Sequence, residues 1–260
     1  MTAKTDEQVE FIMDGFIKEG ERIDDLNIDG LKIIQNPGKF CFGLDAVMLA
    51  SFATVKKEDF VVDFGTGTGI IPIILCGKTQ ASKIIGIEVQ KDMVDMAKRS
   101  VRMNNLEGRV SILEGDIKKA ASIIPEGIAD LVVSNPPYIN DGHGLKNPDN
   151  SKAIARHEIL CTLEDVVKSA GKVLRNGGKL AMIHRSSRMV DVLTCMRDMG
   201  IEPKRIRMIH SDADRESNLF LVEGMKESGR FLKVLKPLVI YSGGDYTQEI
   251  HSIYYKGERM

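Results

Sequence analysis

The sequence predicts an α/β fold, with a mostly parallel seven-stranded sheet, helices on both faces and a small N-terminal β-hairpin extension. Three observations predict it. An apolar run, Val61-Val62-Asp63-Phe64, enters the turn Gly65-Thr66-Gly67-Thr68-Gly69, and the apolar segment from Ile70 to Leu75 leaves it. A second apolar strand, Lys83 to Glu88, ends in an acid 19 residues after Gly69. A further one, Ala129 to Val133, stops at Ser134-Asn135-Pro136-Pro137-Tyr138.

Taken in order, Leu26 to Ile33 reads as a hairpin with an Asp29-Gly30 turn, followed by a helix over Asp45 to Ala53. Three alternate glycines then let the backbone approach a ligand closely at a helix N-terminus. The spacing is G-x-G-x-G with Asp63 two residues ahead, not the dinucleotide G-x-G-x-x-G. An acid there repels a pyrophosphate and suits a cationic amino group. S-adenosylmethionine (SAM) carries an ammonium and a sulfonium and no phosphate. In a βαβ nucleotide fold an acid placed as Glu88 is takes the ribose hydroxyls.

After Glu88, Val89, Met93, Met96, Ala97, Ser100 and Val101 fall near helical spacing, which makes the methionines core residues. Strand Val110 to Leu113 leads to Glu114-Gly115-Asp116, where Asp116 either accepts from an adenine amino group or is a plain turn aspartate. Thr162-Leu163-Glu164-Asp165 opens a later helix as a cap, and Asn176-Gly177-Gly178 closes it. Strand Lys179 to His184, a helix from Ser187 to Met199, and strands near 205–209 and 218–223 complete the count.

Two consecutive prolines remove two backbone donors and fix two φ angles, so the strand ending at Ser134 runs into a rigid extended loop. The loop fixes the Asn135 amide, the Pro136 carbonyl and the Tyr138 ring together. Two acceptors and one stacking face suit a planar amino group on a ring. Asn-Pro is also common in ordinary turns. Residues 140–151, rich in Asn, Asp and Gly, read as a mobile loop beside that site.

At 260 residues with 28% charged residues and no apolar run of membrane length, the composition is that of a soluble chain. Cys41, Cys76, Cys161 and Cys195 form no Cys-x-x-Cys pair, which argues against a metal site or disulfide framework and fits a reducing cytosol. Net charge is −1 but unevenly spread. Residues 1–30 hold three basic and nine acidic residues, whereas residues 179–236 hold twelve basic and eight acidic. Arg185 with Arg188, Lys204-Arg205 with Arg207, and Arg230 with Lys233 and Lys236 form clusters able to track phosphates. Any one cluster is equally compatible with a solvated face.

Together these motifs resemble the Rossmann-like class I SAM-dependent methyltransferases, over about Phe40 to Tyr241. Within them the chain is most similar to the bacterial tRNA1(Val) (adenine-37-N6)-methyltransferase family. Phe42 to Ala50, Ala155-Arg156-His157-Glu158, Pro237 to Tyr241 and Gly244 to Thr247 carry the narrower likeness, while Leu44 stands where many relatives have Thr. The resemblance implies SAM as cofactor, held by Asp63, Gly65, Gly67, Gly69, Glu88, Asp116 and Asn135. It implies methyl transfer to the N6 of an adenosine in tRNA at Asn135, Pro136 and Tyr138. Substrate contacts are expected from Pro137, Arg185, Arg188, Lys204, Arg205, Arg207 and Arg230. Residues 1–40 are expected as an extension and 41–260 as the methyltransferase domain, in a cytoplasmic protein with no metal and no membrane contact. Its oligomeric state, monomer or homodimer, is left open.

The same loop serves glutamine-N5 methyltransferases of release factors, but their Glu-Pro and following glycines are absent here, since Glu158 is followed by Ile159-Leu160-Cys161. A non-catalytic RNA-binding scaffold is the third reading, opposed by the intact glycine loop and Asn135 to Tyr138. Neither His143 nor His157 is needed as a base, because the methylated amine is acidic while cationic.

Overall fold

The computed structural model describes residues 15–39, 41–136 and 161–254. Pro137, Tyr138, His143, His157, the 140–151 loop and the Arg156-His157-Glu158 stretch lie outside them.

A two-stranded hairpin comes first, β1 (Arg22–Asp25) with β2 (Lys32–Gln35), antiparallel. Asp29 and Gly30 form its turn at φ 48° and 72°, so the tight reversal falls where the sequence places it. Helix α1 (Leu44–Phe52) follows, then β3 (Phe60–Phe64), α2 (Ile70–Lys78), β4 (Lys83–Glu88), α3 (Lys91–Met103) and β5 (Val110–Glu114). A 3₁₀ turn at Ile117–Lys119 leads into the short α4 (Ala120–Ile123), and β6 (Ala129–Ser134) comes next. The second half contains α5 (Leu163–Val173), β7 (Leu174–Arg185), α6 (Met189–Asp198), β8 (Ile201–His210) and β9 (Ser217–Lys226). Short strands β10 (Lys233–Val234), β11 (Leu238–Val239), β12 (Tyr241–Ser242) and β13 (Asp245–Tyr246) precede α7 (Gln248–Tyr254).

The central sheet runs β10-β8-β9-β7-β6-β3-β4-β5, with β11 also pairing β8. Strands β3 to β9 are the seven expected from the sequence. The two-residue strands β10 and β11 extend that sheet along its β8 edge. Pairings β3·β4, β4·β5, β3·β6 and β6·β7 are parallel, whereas β9 is antiparallel to both β7 and β8.

Both faces are covered, as a parallel sheet requires. Successive strand residues point to opposite faces. Val61, Ile84, Leu131, Val133 and Ile183 meet α1, α2 and α7 on one face. Val62, Phe64, Ile87, Val132 and Met182 meet α5 and α6 on the other. The hairpin is tied to the first core by Leu26, Ile28, Leu31 and Ile33. Met93 and Met96 are buried against Ile34, as their periodicity predicts, but Val89 lies before the helix and is 47% exposed.

Two boundaries differ from expectation. Thr162 and Asp165 do form a reciprocal capping box. Asn176-Gly177-Gly178, however, does not close that helix, which ends at Val173. It lies at the start of β7, where pairing with β6 shifts register between Ala129 and Leu131. A Cβ on Gly178 would sit 2.8 Å from the Arg175 carbonyl oxygen and 2.9 Å from that of Ala129, so the glycine serves an irregular sheet pairing. The helix expected from Ser187 begins instead as a 3₁₀ turn, Ser186–Arg188, and becomes α-helical at Met189.

Candidate active site

The chain winds outward from β3 through β4 and β5 on one side, then returns to β6 and β7 on the other. Ligands bind at the carboxyl edge beside such a switch point. A solvent-open cleft lies there, lined by Gly65, Glu88, Asp116, Ser134, Pro136 and Cys161 among others.

The glycine loop is built for close approach. Gly65, Gly67 and Gly69 have φ of 73°, 56° and 87°, a region that excludes most side chains. Gly65 and Thr66 N–H groups donate to the Ile87 carbonyl at 2.9 and 3.1 Å, anchoring the turn to β4. Gly69 caps α2, and a Cβ there would lie 3.2 Å from that of Ala97.

Glu88 is buried at the end of β4. Its Oε2 accepts from Gly67 N–H at 3.0 Å, and its Oε1 from the N–H groups of Val89 and Gln90, both at 2.9 Å. At the end of the next strand, Asp116 Oδ1 accepts from Lys118 N–H at 2.9 Å, capping the 3₁₀ turn while the residue still lines the cleft. Both readings of Asp116 are therefore compatible, because a carboxylate has acceptor sites to spare.

Asp63 sits beneath the loop, 0% exposed, and neither of its oxygens nor Thr66 Oγ1 has a hydrogen-bond partner of ordinary geometry among the described residues. Burial pushes the Asp63 carboxyl up to about 7; the nearby Thr66 hydroxyl opposes this and the Glu88 charge adds to it. Orphaned buried oxygens are rare and mark an absent partner. A ligand ammonium fits that role. Thr66 packs down here because position 86, opposite Asp63 on β4, is glycine: a Cβ on Gly86 would lie 2.7 Å from Thr66 Oγ1. The sequence reading passed over Gly86, although a lone glycine inside an apolar strand signals such an approach.

Ser134 Oγ donates to the Phe64 carbonyl at 3.1 Å, joining the tips of β6 and β3. Asn135 follows, and its Nδ2 donates to Asp45 Oδ2 at 3.3 Å. Asp45 is the second residue the reading did not single out; its signal was the Phe42 to Ala50 segment.

The basic residues differ in their partners. Arg185 and Arg188 stand at the carboxyl end of β7, next to β6, and Arg188 Nε donates to Asp191 at 2.5 Å. Arg205 is turned inward: its guanidinium donates to Glu223 and to Thr54 Oγ1 at 2.6 Å, bonds the Phe52 carbonyl, and lies 4.1 Å from the centroid of the Phe52 ring. Arg207 donates to Glu249 and to the Lys236 carbonyl. Lys204 Nζ donates to the Gly229 carbonyl at 2.7 Å, and Arg230 is exposed beside Phe231, itself 72% exposed. Arg205 and Arg207, expected to meet phosphates, are thus both paired within the chain.

A Rossmann-like sheet carrying an acid-flanked glycine loop, a ribose-type acid and an Asn-Pro strand end defines a class I SAM-dependent methyltransferase. The chain belongs to the methyltransferase small domain family, whose model matches residues 30–199. It is 27% identical over 225 residues to the tRNA1(Val) (adenine(37)-N6)-methyltransferase of Aeromonas salmonicida, covering 82% of this chain and 90% of that one. It is 26% identical to the enzyme of that name from Parabacteroides distasonis, covering 70% and 75%. Among solved structures, the "predicted O-methyltransferase" of Agrobacterium tumefaciens superposes with a TM-score of 0.65 at 21% identity, covering 81% of this chain and 95% of that one. M. jannaschii TYW2 in complex with AdoMet superposes at 0.55 with 14% identity, covering 80% and 86%. The protein is a SAM-dependent methyltransferase. No helix among the described residues is long and apolar enough to cross a membrane.

Proposed function

We propose that the protein methylates the N6 of an adenosine in tRNA, at position 37 beside the anticodon, as a cytoplasmic enzyme. The observation that carries this is Asn135-Pro136 at the tip of β6, where Pro136 lines the cleft and Asn135 is held from the opposite side by α1. Supporting it, relatives spanning most of the chain bear that enzyme's name.

SAM, when bound, supplies an electrophilic sulfonium methyl. Asp63 would hold its ammonium, Glu88 its ribose and Asp116 the adenine amino group, with Gly65, Gly67 and Gly69 admitting it closely. Asn135 Oδ1 and the Pro136 carbonyl accept the two N–H bonds of the target amine. These bonds draw its lone pair out of ring conjugation and fix its direction, so catalysis is alignment. The amine nitrogen would gain the methyl as the methyl–sulfur bond breaks and the pair stays on sulfur; the nitrogen, now cationic, then loses a proton to solvent, so no buried base is required. Tyr138, by its place in the sequence, offers a stacking face to a base taken out of its stack. Arg185 and Arg188 stand nearest to this edge for RNA phosphates, with Lys204 and Arg230 further out.

Incubation with labelled SAM and bulk tRNA, followed by nucleoside mass spectrometry, tests the reading. N6-methyladenosine at position 37 is the expected product. Methylglutamine in a release factor, or no transfer with SAM bound normally, overturns it.

A further inference from the structure

We infer that Asp45 is a positioning residue for the transfer step, acting through the amide of Asn135. The inference rests on the methyl-transfer reading above and deepens it. Asp45 lies in the first turn of α1, and its Oδ2 accepts from Asn135 Nδ2 at 3.3 Å across a separation of 90 residues.

The side chain is placed there by its own segment. Gly43, the N-cap of α1, is extended, and a Cβ on it would fall 2.5 Å from Asp45 Oδ1. Glycine at 43 therefore leaves the space that the Asp45 carboxylate fills. The helix N-terminus favours negative charge in this first turn, which suits a carboxylate at this position.

The chemistry then selects one of two orientations of Asn135. An amide has a donor end and an acceptor end, and a 180° rotation exchanges them. A carboxylate only accepts. The carboxylate oxygens attract the NH2 end and repel the carbonyl end. The flipped amide would set its oxygen against a negative charge, and would offer an N–H donor to a substrate amine that needs an acceptor. Asp45 thus holds Oδ1 turned away from α1, the orientation in which Asn135 can accept from the target amino group.

The test uses Asp45→Asn and Asp45→Ala in the full chain. Asparagine at 45 both donates and accepts, so it keeps the volume but loses the selection. Both variants should lower kcat by about ten- to a hundredfold, the scale of a misplaced reacting group, with SAM affinity and tRNA affinity within about twofold. Asp45→Glu, which keeps the charge, should recover part of the loss. A fall in SAM affinity matching the loss in rate would overturn the inference and make Asp45 a cofactor ligand.

Two further readouts separate positioning from simple destabilisation. In single-turnover transfer, Asp45→Ala added to Asn135→Ala should cost less than about twofold more, because the residue it acts through is gone. A full additional loss overturns the inference. The Asn135 side-chain amide resonances, identified by their disappearance in Asn135→Ala, should shift in Asp45→Ala; unshifted resonances overturn it too. A different methylated product with the same dependence on Asp45 would refute the adenine reading alone, and N6-methyladenosine formed at full rate by Asp45→Asn would refute this inference alone.

Discussion

Gly67 N–H donates to Glu88 Oε2 at 3.0 Å, so the middle glycine of the loop is bonded to the acid that ends the neighbouring strand. With the Val89 and Gln90 N–H groups on Oε1, three of about four acceptor sites of that carboxylate are used by backbone. Glu88 is therefore a brace for the loop that keeps one acceptor site for the ribose hydroxyl proposed above.

Glu88→Ala removes both roles at once. Charge-assisted hydrogen bonds contribute about 1.5–3 kcal/mol each, so SAM affinity should fall roughly ten- to a hundredfold. Calorimetry reads this directly. Unchanged affinity would refute the ribose assignment.

Asp63 should make the site pH-sensitive. Its carboxyl is raised from 3.8 to about 7, so the ligand-free native state holds a proton that the unfolded chain releases. Stability from this group is present below about pH 4 and is lost as pH rises to about 7, a change on the order of 4 kcal/mol. Asp63→Asn should abolish that slope and stabilise the ligand-free protein at pH 8. In the wild type, SAM affinity should rise with pH through about 7, because the ammonium needs the ionised carboxyl. Denaturation and calorimetry across pH 5.5–8.5 check both signs, and a flat affinity profile would refute the assignment of Asp63.

Gly86 has no room for a side chain: a Cβ would meet Oγ1, Cγ2 and Cβ of Thr66 at 2.7, 2.8 and 2.9 Å. Gly86→Ala should push Thr66 and the loop outward, lowering both SAM affinity and the melting temperature. Thr66→Gly in the same chain removes all three clashing atoms and should restore the melting temperature. Failure of that rescue in thermal unfolding would place the defect elsewhere in β4.

Much of this architecture was legible because each strand reads as a short apolar run closed by a distinctive residue. Glu88 ends β4 and Ser134 ends β6 at the expected positions. What was not legible depends on partners distant in sequence. Asn-Gly-Gly at 176–178 is as good a helix end as a sheet irregularity, and only the approach of the Ala129 carbonyl decides between them. The charge of Arg205 does not announce Glu223, nor that of Arg207 the later Glu249. Nothing local to Asp45, in the first turn of α1, marks Asn135, 90 residues away, as its partner.

The basic clusters should accordingly separate by phenotype. Arg205→Ala leaves buried Glu223 with Lys179 at 3.9 Å as its remaining ion-pair partner among the described residues, so it should cost roughly 3 kcal/mol of stability. Arg230→Ala with Lys233→Ala and Lys236→Ala, all exposed, should leave the melting temperature unchanged, weaken tRNA binding across sequences and flatten its salt dependence. Equal tRNA binding by that triple variant would return these residues to an ordinary solvated face.

Asn135→Ala removes one of the two acceptors fixed at the tip of β6. The lost bond matters most when the amine lone pair is released toward the methyl, so the effect belongs to the transition state. Turnover should fall by about a hundredfold or more, while SAM affinity changes by less than about threefold. Tyr138→Phe keeps a stacking face and should retain substantial activity, whereas Tyr138→Ala should not. Steady-state kinetics on tRNA with parallel SAM titrations separates these outcomes. An Asn135→Ala enzyme that turned over normally would mean that the Pro136 carbonyl and the stacking face alone orient the amine, and the proposed role of the Asn-Pro strand end would fail.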